Sequence, residues 1–325
     1  MAVPLRPSTL GEILDRTAQL YRENFVLFAG IAAVYAGLLL GLNLAEIGLD
    51  SALAGLHMVR AERLLAAVSI LLSVLAAFIS AGLAIAANNR AVGWLSLGRA
   101  ATIRDAYAAI LPRAGRYLWL LTATAFVVWT PMALVYGGYL GFALSYAHVV
   151  QPFTAGNVPA RVGSMAGFAI GTGIFLLLVI PAAIWAAMMT LRYALAVPAC
   201  VMEGLKAREA MRRSAELGRG ARGRIFMLGL LAVAIQMGLV LLTQSAFVVL
   251  QVQHHGVLPA WLRAVQQVMA FFTNTFVGPI YATGLTLFYF DQRVRKEGYD
   301  IERLMEAAGL GAAALPEAQA TDGGR

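Results

Sequence analysis

Residues 192–224 read RYALAVPACVMEGLKAREAMRRSAELGRGARGR. This is the longest polar island in an otherwise apolar chain, and it carries eight of the basic residues. Such a segment cannot lie in hydrocarbon, where unanswered charge is expensive. It therefore divides the long apolar stretches on either side into separate spans and predicts a polytopic, all-α membrane protein. Within it, Arg208-Glu209 leads into Ala210, Met211, Ser214 and Leu217, a helical spacing of small and apolar residues that runs to a basic boundary at Arg224.

Working outward, the same unit occurs twice before. Thr9 and Glu12 are spaced as a capping box, followed by Leu10, Ile13, Leu14, Thr17, Leu20 and Tyr21 on one face. Glu12, Asp15, Arg16, Gln19, Arg22 and Glu23 occupy the other, as in an interfacial helix. Thr102-Ile103-Arg104-Asp105 opens a second, with Ile103, Ala106, Tyr107, Ile110 and Leu111 aligned. Each helix reaches a basic boundary (Arg22, Arg116, Arg224) and then a span. Pro181 precedes Arg192, and Pro279 precedes Phe290, by the same interval, although the first unit has no such proline. These matches predict three parallel repeats over about 8–91, 101–193 and 205–292.

The composition agrees. The 325 residues are 60% apolar and only 13% charged, about half the charge of a soluble domain, with a mean hydropathy of +0.73. Six spans are expected near 25–47, 64–87, 117–147, 164–191, 225–250 and 264–290, all in one membrane domain covering 1–308. Of 25 Lys and Arg, 21 fall in the N-terminus, the 88–116 and 192–224 loops and the C-terminus; the exceptions are Arg60, Arg63, Arg161 and Arg263. The positive-inside rule then predicts that both termini are cytoplasmic, in a bacterial inner membrane. The net charge of +8 is accounted for by this topology and not by nucleic acid. Glu12, Asp15 and Glu23 argue against a signal peptide. Asp300 can cap a last short helix, and 309–325 reads as a disordered tail.

Three motifs carry a resemblance: TLGEILDRTAQLYRENF at the start, the central EG followed by AMRRSAELGRG, and the closing FYFDQRVRKEGYDIERL. Together they resemble bacterial proteins named after the glycerophosphoryl diester phosphodiesterase membrane domain, over about residues 5 to 305. The resemblance implies an integral membrane protein and a bacterial location. It implies no catalytic residues here: the chain's length leaves no room for the separate catalytic domain, and no histidine is followed by Arg-Gly.

The candidate chemistry is sparse. No charged side chain or histidine falls deep in the predicted spans, which argues against a proton-coupled pump. Gln236, Thr243, Gln244, Asn274 and Thr275 are the intramembrane polar set. Gln236, Gln244 and Asn274 could line a polar pocket between the last two spans, or simply bond helix to helix. Pro131, Pro181 and Gly278-Pro279 should kink their helices. Gly163, Gly167 and Gly171, and Gly37 with Gly41, offer small faces for close packing. The four histidines, His57, His148, His254 and His255, fall at the outer face with Glu46, Asp50 and Glu62, in no metal-ligand spacing. Cys200 reads as a small buried hydrophobe. No phosphate loop, nucleophile triad or paired carboxylate is present, so neither an enzyme nor a cofactor is expected. Arg208, Arg212, Arg213, Arg219, Arg222 and Arg224 form a basic cluster suited to anionic lipid. The expected function is non-enzymatic: organising or sensing membrane lipid, or docking a cytoplasmic or membrane protein. The alternative is a transporter or permease for a neutral or lipidic solute.

Overall fold

A computed structural model describes residues 7–53, 59–154, 158–254 and 258–298. The helix expected from Asp300, the tail, His57 and His255 lie outside the described residues, as do the side chains of Glu62, His148 and Gly163. The described residues form helices and no strands: α1 (Leu10–Glu23), α2 (Phe25–Leu53), α3 (Val59–Ser96), α4 (Ile103–Ile110), α5 (Ala114–Thr154), α6 (Val158–Tyr193), α7 (Ala196–Glu203), α8 (Ala207–Leu217), α9 (Arg222–Gln253) and α10 (Ala260–Glu297).

The three short amphipathic helices start alike. The Glu12 N–H donates to Thr9 Oγ1 at 3.3 Å, and the Thr9 N–H donates to Glu12 Oε2 at 2.7 Å. At α4 the Asp105 N–H donates to Thr102 Oγ1 at 3.1 Å. At α8 the Lys206 N–H donates to Glu209 Oε2 at 3.0 Å. At α1 and α8 an acid in the first turn answers an open N-terminal donor, and at α4 the Thr102 hydroxyl does so while donating to Asp105 Oδ2 at 2.7 Å. Their apolar faces are covered by protein. Ile13 and Thr17 of α1, Ala106 and Ile110 of α4, and Ala210, Ser214 and Leu217 of α8 are buried. Leu111, expected to extend the α4 face, is instead 55% exposed. It opens a 3-10 turn, Leu111–Arg113, whose Pro112 cannot continue the α-helix.

The long helices α2, α3, α5, α6 and α9 are long and apolar enough to cross a membrane, and the chain is a membrane-embedded protein. Their outward faces carry large apolar side chains that water would not tolerate together: Phe126, Leu134, Leu177 and Leu242 are each more than two-thirds exposed. α10, expected as the sixth span, has the length but not the apolar content. Burial supplies the physical reason. Whereas Trp261, Phe272 and Phe276 in the first half of α10 are exposed, residues 282–289 are buried without interruption, so this part of the helix is surrounded by protein. Its threonines and amides meet other helices there, and lipid sets no limit on their polarity.

α2 pairs with α3, α5 with α6 and α9 with α10, and α2 packs most extensively across to α10. The short helices dock cyclically. α1 lies chiefly on α10, α4 on α3 and α2, and α8 on α5 and α6 besides α7. Each thus covers the helix pair of a preceding unit, the first covering the last. The main core gathers where these short helices meet the long ones, around Phe28, Ile110, Leu120, Leu195, Ile225 and Phe288. The α5–α6 pair makes little contact with α9. α5 and α6 themselves pack closely: a Cβ at Gly171 would come 2.3 Å from the Phe142 ring, and one at Gly167 would come 2.8 Å from the Tyr146 hydroxyl. This glycine face therefore serves packing within the chain. Gly41 faces nothing within 4 Å. The helices run on through Pro131, Pro181 and Pro279.

Candidate functional site

Because the α5–α6 pair makes little contact with α9, a crevice opens beside α10. Its largest hollow, about 700 Å³, lies between α5, α6, α9 and α10 and is lined by residues such as Trp129, Ala183, Phe226, Leu230 and Gln236. A second, about 410 Å³, lies between α3, α5, α6 and α10. A third, about 120 Å³, is enclosed by α2, α3 and α10. Gly278 lines all three, and Tyr281 joins the first two. Among the described lining residues there is no Asp, Glu, Lys, Arg or His. Such walls suit hydrocarbon and offer nothing to neutralise a charge.

The floor of the crevice is polar. Asn88 and Asn89 of α3 are 2% and 1% exposed. Asn88 Nδ2 donates to Thr283 Oγ1 at 3.2 Å, and Thr286 Oγ1 donates to Asn89 Oδ1 at 2.9 Å. Asn88 Oδ1 is buried with no partner. Above it, α10 is stitched at its proline. Pro279 leaves the Thr275 carbonyl without its helical donor. The neighbouring carbonyls accept from tyrosines of the first unit: Tyr35 OH donates to Asn274 O at 3.3 Å, and Tyr21 OH donates to Phe276 O. Burial pushes the Tyr21 hydroxyl up to about 12, keeping it a donor.

The expected polar pocket of Gln236, Gln244 and Asn274 is distributed, not assembled. Gln236 lines the large hollow. Gln244 lies eight residues on, about 12 Å along α9, and its Oε1 accepts from Gln266 Nε2 at 3.0 Å. Asn274 takes part through its backbone. Thr243 bonds back to the Leu239 carbonyl, and Thr275 Oγ1 is buried without a partner. Asn88, Asn89, Thr283 and Thr286 went unremarked in the sequence. The asparagines fall just past the expected end of the second span, where they read as loop, and the only available signal was their adjacency to an apolar run.

At the end that carries Ser8 and Gly298, two ionic clusters close the bundle. Arg213 Nε donates to Glu203 Oε1 at 3.0 Å, and its Nη2 donates to Glu297 Oε2 at 2.7 Å. Arg293 Nε donates to the same Glu297 oxygen at 3.1 Å, and Tyr289 OH bonds Glu203. Burial works against the Arg213 charge, but the bonds to Glu297 and Glu203 outweigh it and raise its pKa. Burial likewise raises the Glu297 carboxyl, and the two arginines outweigh it and hold that group below its ordinary value. In the second cluster, buried Asp291 accepts from Arg295 Nε at 2.9 Å, from the Ser8 N–H at 2.8 Å and from Arg224 Nη1 at 3.4 Å. Arg224 also sits 5.2 Å over the Phe288 ring.

The third motif quoted above is a meeting point: Ser8, just before the first motif, meets its Asp291, and Glu203 and Arg213 of the second meet its Tyr289, Arg293 and Glu297. Gly204, the glycine of the EG pair, ends α7 at φ +68°, a conformation that favours glycine. Of the six arginines expected at a lipid surface, Arg213 and Arg224 are engaged internally. Arg208, Arg212, Arg219 and Arg222 are exposed. Cys200 is buried, its thiol 3.2 Å from the Leu205 carbonyl. Among the described residues no His, Cys, Asp and Glu come together as a metal-holding group.

Searches of protein-family models, curated proteins and solved structures returned no match.

Proposed function

We propose that this chain is a non-enzymatic protein of the bacterial inner membrane that binds membrane lipid in the crevice beside α10, and so organises or senses lipid. The observation that carries the reading is the apolar hollow of about 700 Å³ with no Asp, Glu, Lys, Arg or His among its described lining residues. A hollow of this kind at membrane depth fills with acyl chain in preference to water. The reading includes six spans in three parallel pairs, each preceded by an interfacial helix, with both termini cytoplasmic. The basic asymmetry supports the orientation, and the similar capped starts of α1, α4 and α8 and their cyclic docking support the repeat. Membership of the glycerophosphoryl diester phosphodiesterase membrane-domain family belongs to the same proposal, supported by the contacts of the second motif with the third. The exposed arginines Arg208, Arg212, Arg219 and Arg222 supply a surface for anionic lipid or an acidic partner.

The test is native mass spectrometry of protein purified in mild detergent. Wild type should carry bound lipid. Gly229→Leu, which projects into the hollow where a Cβ meets only Tyr281 at 3.8 Å, should lose it while remaining folded. Lipid-free wild type, or equal lipid in both, refutes the reading. A carrier for a neutral or lipidic solute is the second reading, favoured by three hollows that meet at one interrupted helix turn, Gly278-Pro279. Lipid scrambling by the protein in vesicles, abolished by the same substitution, would select it.

A further inference from the structure

The polar floor narrows the class of lipid. Asn88, which lines the 120 Å³ hollow, has its Nδ2 engaged by Thr283, and its Oδ1 is buried without a partner. A buried acceptor left unpaired is costly, so the hollow calls for a donor. Thr275 Oγ1, one turn from Pro279, is also buried without a partner. No cation lines this hollow or its two neighbours among the described residues. A phosphate brought here would lose its hydration and gain no counter-charge. An ammonium would find no carboxylate.

Resting on the lipid-binding reading above, we propose that the floor of the crevice binds the head of a neutral, hydroxyl-bearing lipid, with diacylglycerol the simplest case. Its hydroxyl donates to Asn88 Oδ1 in the small hollow, and its chains pass Gly278 into the larger ones. The small hollow has room for a glycerol-sized head or a few waters, each water taking about 30 Å³ of liquid. Tyr35, whose hydroxyl is held on Asn274 O, forms one wall, and a Cβ at Gly278 would come 2.9 Å from that hydroxyl. The glycine therefore lets Tyr35 pack directly against α10 at the edge of the hollow.

The experiment uses the full chain in phosphatidylcholine nanodiscs and a diacylglycerol with a diazirine next to its glycerol. After irradiation, peptides of α3 and α10 around Asn88 and Pro279 should be labelled. Unlabelled diacylglycerol should compete, and phosphatidylglycerol should not. Asn88→Leu fills the hollow and removes the acceptor, whereas Asn88→Ala removes the acceptor and adds room. Each should lower labelling at the floor about five-fold, as expected for one neutral hydrogen bond. If Asn88→Leu fails to fold, Asn88→Ala carries the test. Labelling unchanged by Asn88→Ala overturns the proposal, because water alone then answers Asn88. Equal competition by phosphatidylglycerol also overturns it. Label confined to α5, α6 and α9 removes the head-group assignment and leaves the acyl-binding reading standing; label nowhere removes both.

Discussion

Replacing Arg213 by glutamine should destabilise the protein far more than the same change at its neighbour Arg212. Arg213 forks between Glu203 and Glu297, with side-chain exposures of 24%, 19% and 27% for the three groups. Removing one partner from a fully buried ion pair costs about 3–5 kcal/mol. These groups keep some solvent, which screens them, so about 2 kcal/mol is expected. Arg212 is 80% exposed and reaches Glu216 at 3.7 Å within one helix, a pair worth at most about 0.5 kcal/mol. For a chain of this size each kcal/mol moves Tm by about 2–4 °C, so Arg213→Gln should lower Tm by about 4–8 °C and Arg212→Gln by less than about 2 °C. Fluorescence-detected unfolding in mild detergent measures both. Adding Glu297→Gln to Arg213→Gln should cost less than the sum of the single changes, because the second removes a charge already orphaned. Equal Tm values for the two arginine variants, or strict additivity in the double variant, would refute the lock.

Cysteines at Ser51, Asn157 and Gly256 should react with an impermeant thiol reagent from outside the cell, and cysteines at Ala100 and Arg208 should not; buried Cys200 keeps the background low, and the reverse pattern would end the proposed topology. The Glu297 carboxyl is held low in the fold, so the stability it contributes is present above its unfolded pKa and is lost as pH falls through the lower folded one. A Tm that falls on acidification in wild type and falls less in Glu297→Gln checks this, and parallel curves would contradict it. Changing Arg208, Arg212, Arg219 and Arg222 together to glutamine should strip anionic phospholipid at low salt without lowering Tm by more than about 2 °C; unchanged phosphatidylglycerol in the purified protein leaves these side chains to topology alone. Gly171→Val should wedge α5 from α6 at Phe142 and cost about 1–3 kcal/mol, read as a lower Tm, whereas Gly41→Val, facing open space, should be nearly silent.

The long helices and the Thr9–Glu12 capping box were legible because they depend on local periodicity and on residues three apart. Gly167 and Gly171 were legible for the same reason, since only small residues permit that approach. The crevice was not. Nothing in the spacing of α5 and α6 records that they stand off from α9, because an apolar residue facing a hollow and one facing lipid look alike in sequence. α10 is the opposite case. Thr283 and Thr286 lie where protein encloses its second half, and a linear reading has no access to what lies around a helix. Arg213 and Arg224 looked like their exposed neighbours until Glu203, Glu297 and Asp291 were brought beside them across the fold.

The docking of α1 on α10 has a consequence for how the chain is made. Ser8 bonds Asp291 and Tyr21 bonds Phe276, so α1 leaves the ribosome well before the surface on which it rests is synthesised. At about 5–20 residues per second, that surface arrives roughly 15–60 s later. Through this interval Ile13, Leu14 and Tyr21 need a temporary apolar cover, and the bilayer surface supplies one to a helix with charge on its other side. α1 is therefore built to wait: too polar to insert, too apolar to drift free, and able to close the ring of helices only after the final pair is in place.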